Sequence, residues 1–205
     1  MTHPVSELRS KYTGETAWIV GKGPSLATID RGVFGAGPVI ALNQAIVEIE
    51  ALELTNPVYS MQKGFNGCNH AGVTDICPSL VIRPQHAPLV IHEMEGRDCF
   101  TDYEPRYVYS SGRDYGLPWW AFSAKVAAAF SKHMGCTSLV YVSMDAMVNG
   151  DERTYHGRPD GTSYVALEKY GPDYVRYKEE LLAYLNEQRI AYRFGYPATE
   201  EMIYD

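Results

Sequence analysis

The pattern of apolar and polar positions cuts the chain into short runs separated by helical or loop material. Apolar runs at 17–20, 39–42, 58–61, 80–82, 107–109, 139–142 and 190–194 read as strands. Several are apolar throughout instead of alternating, which is what a parallel strand covered on both faces requires. Two stretches carry helical periodicity. "WAFSAKVAAAFSKHM" at 120–134 is alanine-rich and stops at Gly135. "VRYKEELLAYLNEQ" at 175–188 sets Tyr177, Leu181, Leu182, Tyr184 and Leu185 mostly on one face, with charges opposite. Each helix precedes a strand. The expectation is an α/β, Rossmann-like three-layer fold with a mainly parallel sheet.

Two segments break the alternation. From 64 to 116 the chain is rich in Gly, Pro, His and Cys and reads as irregular loops around two or three short strands. From about 146 to 172 it is polar and glycine-punctuated, with "NGDERTYHGRPDGTSY" at its centre. A loop that long in a compact domain reads as an active-site lid. Residues 1–205 therefore read as a single Rossmann-like domain carrying that lid.

Composition narrows the function classes. An apolar fraction of 45% and a charged fraction of 21% are ordinary for a soluble globular protein. A net charge of −7 argues against a nucleic-acid partner, whose phosphates want a clustered basic face. Sixteen tyrosines would suit sugar or base recognition but serve strands equally well. The four cysteines, Cys68, Cys77, Cys99 and Cys136, form no CxxC pair. Cys68, His70 and Cys77 lie close together, yet no second ligand pair follows, so reduced thiols and no metal site are expected. With no signal-like N-terminus and no apolar run of membrane-spanning length, the chain reads as cytoplasmic and without a membrane span.

The candidate chemistry begins at "AWIVGKGPSLATID", residues 17–30. Gly21 and Gly23 fall where a strand ends, and glycine there lets another group approach the backbone closely. Pro24 suits the first position of a helix, whose exposed amides attract phosphate, while Ser25 adds a hydroxyl and Lys22 a positive charge. Strand, tight turn and helix start make a phosphate site. The third glycine of the dinucleotide fingerprint is Leu26 here, and no P-loop occurs. The next strand ends at Asn43 and Gln44, where an NAD enzyme would carry an acid for the ribose. An amide donates and accepts, which suits a pyrimidine edge or a ribose.

These residues resemble a known family. "IVGKGPSLATID" followed by "ALNQ" is similar to the start of the small bacterial sialyltransferases that modify lipooligosaccharide, with their G-N-G-P-S-L turn and C-N-Q strand end. "YSSG" at 109–112 resembles that family's T-S-G, and "LVYVSMDAMVNG" its strand ending in G-I-D before an N-G. The same G-x-G-P-S-L turn and strand-end Asp mark a wider domain family that includes archaeal 6-hydroxymethylpterin diphosphokinase. The resemblance implies a glycosyltransferase that needs no metal or other cofactor and takes a CMP-sugar. Gly21, Gly23 and Ser25 would cradle the phosphate, Asn43 would face the ribose or base, and Ser111 and Gly112 would line the pocket; Lys22, Pro24 and Gln44 are further candidate nucleotide-binding residues. Asp145 would sit at the carboxyl end of its strand. A bacterial or phage setting would fit so compact an enzyme.

The departures carry information. Lys22 replaces an asparagine and would favour a diphosphate, so a UDP-sugar is the second candidate donor. The family's lid histidine has no counterpart in "EKYGPDYVRY" at 168–177. An inverting transfer needs a base for the acceptor hydroxyl and groups to steady the departing phosphate. His156 is the candidate base, with Asp145 as second choice or orienting group. Tyr155 and Tyr164 would donate to the phosphate. Asp151 and Asp160 would hold Mg²⁺ only in a diphosphate chemistry, and no D-x-D supports them. Trp119 and Trp120 are read as packing residues. The alternatives are a Mg²⁺-dependent diphosphokinase-like enzyme and a nucleotide-binding module without chemistry. The sugar, the glycan or other hydroxyl acceptor, and whether the chain forms homo-oligomers are not written in the residues.

Overall fold

A computed structural model of the chain describes residues 2–63, 84–92, 105–109, 122–151, 153–157, 163–167 and 171–196. Eight strands form one sheet: β1 (Thr2–His3), β2 (Thr16–Val20), β3 (Val39–Leu42), β4 (Val58–Lys63), β5 (Leu89–His92), β6 (Arg106–Tyr109), β7 (Ser138–Val142) and β10 (Ala191–Tyr196). Their order is β1-β6-β5-β4-β3-β2-β7-β10, and every neighbouring pair is parallel. A separate antiparallel ribbon pairs β8 (Arg153–Gly157) with β9 (Ser163–Leu167). The helices are α1 (Ala45–Ala51), α2 (Ser123–His133), α3 (Asp145–Val148) and α4 (Gly171–Glu187), with 3₁₀ turns at Val5–Leu8, Pro24–Thr28 and Arg31–Val33.

The continuous apolar runs follow from burial on both faces. Along β2, Ala17 and Ile19 face one core while Trp18 and Val20 face another. The first core joins Ile40, Met61, Val90 and Tyr141 to Phe130 of α2 and to Leu181 and Leu185 of α4. The second joins Val39, Ala41, Val140 and Val142 to Leu26 and to Ile46 and Ile49 of α1. Helices and turns thus cover both sides of a parallel sheet, the three-layer Rossmann-like arrangement anticipated from the sequence.

The helix stop at Gly135 is real: α2 ends at His133, and Gly135 turns the chain at φ +89°. Helix α4 begins at Gly171, four residues before the periodicity suggested. The expected strand at 80–82, like Trp119 and Trp120, lies outside the described residues. The polar stretch read as a loop is not one throughout, because α3 and the β8–β9 ribbon occupy much of it. Among the described residues no helix is long and apolar enough to cross a membrane.

Much of the tyrosine content packs the core. The Tyr12 and Tyr59 hydroxyls meet at 2.7 Å, and burial, aided by that bond, pushes the Tyr59 phenol far above its ordinary range. Cys136 is a buried free thiol raised to about 12, chiefly by burial. Such a thiol is inert.

Candidate functional site at the carboxyl edge of the sheet

Chain order reverses direction across the sheet at β2 and β7. From β2 the chain runs over the Trp18 face to β3, while α3 follows β7 and α4, which returns it to β10, packs on the opposite face. Open α/β sheets bind ligands beyond the strand ends at such a junction. The glycine turn and Asp145 meet there, although 120 positions separate Asp145 from Ser25.

The geometry differs from an empty phosphate cradle. The Gly21 amide donates to the Val142 carbonyl at 2.8 Å, and the Gly23 amide donates to the Ser143 carbonyl at 2.8 Å. These two bonds extend the β2–β7 ladder past both strand ends. The Ser25 hydroxyl donates to Asp145 Oδ2 at 2.6 Å, and the Ser25 amide to Asp145 Oδ1 at 3.3 Å. A methyl group on Gly23 would lie 1.8 Å from Asp145 Oδ2. The close approach that glycine permits is therefore made by a side chain of the protein itself. Pro24 opens a 3₁₀ turn of five residues and not an α-helix, so the expected α-helical N-terminus is absent here. The cup shaped by Gly21, Gly23 and Ser25 holds a carboxylate, and Asp145 is 4% exposed within it. Lys22 sits half-buried between the two glycines.

Asn43 has a backbone role as well. It adopts φ +52°, a left-handed conformation in which Asn is tolerated far better than most residues. Its amide donates to the Met61 carbonyl at 2.9 Å, and its carbonyl accepts from Gln62 Nε2 at 2.8 Å. Part of the reason for an asparagine at the end of β3 is thus backbone geometry. Asn43→Ala should cost roughly 1 kcal/mol, because alanine pays the left-handed penalty, whereas Asn43→Gly should stay near wild-type stability. Urea denaturation of the two variants reads this directly, and equal losses would show that the backbone account is wrong.

Several polar groups on this edge were not singled out from the sequence. Gln62 also donates to Ser60 Oγ at 2.8 Å, and both side chains are buried. Ser143, fully buried at φ +53°, shares with Asn43 a left-handed backbone on this edge, and its amide donates to the Tyr196 carbonyl at 2.7 Å. Among the described residues, Gln44 Oε1 and Ser143 Oγ are buried with no hydrogen-bond partner. The signal for Ser60 and Gln62 was their alternation inside an otherwise apolar strand. His92 was hidden at the end of an apolar run.

Strand β8 lies against the Pro24–Thr28 turn and α1, which brings the ribbon to the same region. His156 and Tyr164 are direct cross-strand partners, and Tyr155 is opposite Val165. Asp151 donates its amide to Asn149 Oδ1 at 3.0 Å. Ser111, Gly112, Asp160, Cys68, His70 and Cys77 lie outside the described residues. Among those described, no three His, Cys, Asp or Glu side chains are grouped to hold a metal ion.

No family model matches the chain, and no curated protein is similar to it in sequence. A solved structure of the sialyltransferase CstII from Campylobacter jejuni, in complex with a substrate analogue, cytidine-5'-monophosphate, is similar over 92% of this chain and 82% of that one. The identity is 13% and the TM-score 0.38, values at which the likeness assigns no residue here.

Proposed function

We propose that the chain is a glycosyltransferase that takes its nucleotide-sugar at the carboxyl edge of the sheet, with a CMP-sugar as donor and a UDP-sugar as the second choice. The observation that carries this reading is the buried Gln44 Oε1, an acceptor with no protein partner among the described residues, next to Asn43 at the end of β3. A buried carbonyl without a donor costs about 1–3 kcal/mol, and the exocyclic amine of cytosine is a donor that would satisfy it.

In this reading the donor phosphate takes the Ser25 hydroxyl and amide in exchange for the Asp145 carboxylate, and Lys22 balances its charge. Gly21, Gly23 and Pro24 shape that turn, and Ser111 and Gly112 complete the pocket. The glycosidic carbon–oxygen bond to the phosphate breaks as the acceptor oxygen attacks from the opposite side. His156 receives the acceptor proton, with the released Asp145 carboxylate as alternative acceptor. Tyr155 and Tyr164 donate to the departing phosphate. No metal is required by these roles.

Thermal-shift measurements with CMP, UDP and ATP, each with and without Mg²⁺, test the proposal. At a hundredfold excess over Kd, a nucleotide adds about 2.7 kcal/mol to stability, on the order of 5–10 °C for a chain of this size. CMP is expected to act without metal, and Gln44→Ala to lose most of the CMP shift. Stabilisation by ATP with Mg²⁺ alone would indicate diphosphokinase chemistry instead. Binding without turnover of any sugar donor would indicate a nucleotide-binding module, and no shift with any nucleotide would end the nucleotide reading.

A further inference from the structure

Three strands from the β2–β7 junction, the same edge of the sheet carries a second constellation. His92 ends β5, is fully buried, and its Nε2 lies 3.3 Å from Ser123 Oγ. Ser123 is the first residue of the eleven-residue helix α2 and is half-buried, so of the two residues it is the one that reaches the surface. The N-cap position belongs to Phe122, which makes no capping bond. A helix-starting serine that acts structurally is normally the N-cap itself, its oxygen accepting from the first turn. Ser123 stands one residue too late for that, and its hydroxyl meets an imidazole instead.

The backbone adds a third component. The Lys125 and Val126 amides return to the Phe122 carbonyl at 3.0 and 3.2 Å. The Ser123 and Ala124 amides precede that ladder and have no acceptor within the helix, beside the serine hydroxyl. Two amides at the start of a full α-helix, reinforced by its dipole, can stabilise an oxyanion.

We propose that Ser123 and His92 form a nucleophile–base pair competent to cleave small activated carboxylic esters, an activity separate from nucleotide-sugar transfer. Serine is a weak nucleophile until an adjacent base removes its proton, and imidazole does so near neutral pH. His92 stands at the end of a strand paired on both sides, with β4 and with β6, so its backbone is held in the sheet. In the first step Ser123 Oγ bonds to the carbonyl carbon while its proton passes to His92 Nε2. The carbonyl electron pair moves to oxygen, against the helix-start amides. Collapse expels the alcohol, which takes the proton from His92. Water then repeats the sequence, releasing the acid and restoring the serine.

The test is covalent labelling of the full chain by a fluorophosphonate, read by intact mass and peptide mapping. One adduct on Ser123 is expected, none on Ser123→Ala, and at least tenfold slower labelling of His92→Gln. Ser123→Cys gives a second measurement that spares the buried ring. With iodoacetamide at pH 6.5, the thiol at position 123 should alkylate at least tenfold faster than glutathione, because the imidazole favours the thiolate. No adduct on the native protein, an adduct that survives Ser123→Ala, or alkylation at the glutathione rate would overturn the proposal. CMP binding is unaffected by any of these outcomes, so the two readings fail separately.

Discussion

Gly23→Ala is expected to destabilise the protein by about 3–5 kcal/mol, a cost typical of breaking a buried charged contact. The new methyl would fall 1.8 Å from Asp145 Oδ2 and 2.8 Å from Asp145 Cβ, so the carboxylate must leave. Moving it removes both bonds to Ser25 and leaves an ionised group without donors in a site where Asp145 is 4% exposed. Hydrogen bonds to charged groups contribute about 1.5–3 kcal/mol each, so the direct loss and the stranded charge reach that range. The cause is separable from ordinary glycine strain by a double-mutant cycle. Asp145→Gly deletes the whole obstructing side chain, so Gly23→Ala should cost at least about 2 kcal/mol less in that background than alone. Guanidinium denaturation followed by tryptophan fluorescence supplies the four stabilities. Additive losses would mean that the turn and the carboxylate do not touch.

That contact also explains what could and could not be read from the chain. Two glycines at a strand end announce that something approaches the backbone closely. Local sequence cannot say whether the visitor is a ligand or a side chain 120 positions away. Asn43 posed a similar ambiguity, since an amide suited to a pyrimidine edge is also a residue that accepts φ +52°. The sheet was far more legible. Burial on both faces leaves a continuous apolar signature, and β3 falls on the residues where the hydrophobic run placed it. The β8–β9 ribbon was not legible, because β8 is polar, β9 offers only a short apolar run after Ser163 and Tyr164, and the Gly- and Pro-bearing stretch between them carries the chemistry of a loop. Helix α1 escaped because it is only seven residues long, about two turns, with Ala45, Ile46 and Ile49 as its buried residues.

A second large effect is expected at Glu50, which no motif marks. Its Oε2 accepts from the Gln85 amide at 2.7 Å, and its Oε1 accepts from the His86 and Ala87 amides at 2.8 and 2.7 Å. Three consecutive amides converging on one carboxylate form an anion nest, filled here by a residue of α1. The bonds tie α1 to the segment that enters β5, and so help to set the height at which His92 reaches the edge of the sheet. Glu50→Ala should cost about 2–4 kcal/mol, less than the about 4.5–9 kcal/mol sum for three charge-assisted bonds because Gln85 and His86 are exposed and water replaces part of the loss. That corresponds to a fall in Tm of roughly 4–16 °C for a chain of this length. Glu50→Gln keeps the shape but has one acceptor oxygen and no charge, so it should recover only part of the loss. If Ser123 reacts as proposed, its labelling should slow in Glu50→Ala well below the melting transition, since the β5 end would lose its alignment with α2. A Glu50→Ala protein within 0.5 kcal/mol of wild type would show that solvent replaces the nest at little cost, and that α1 and β5 are held together by their apolar contacts alone.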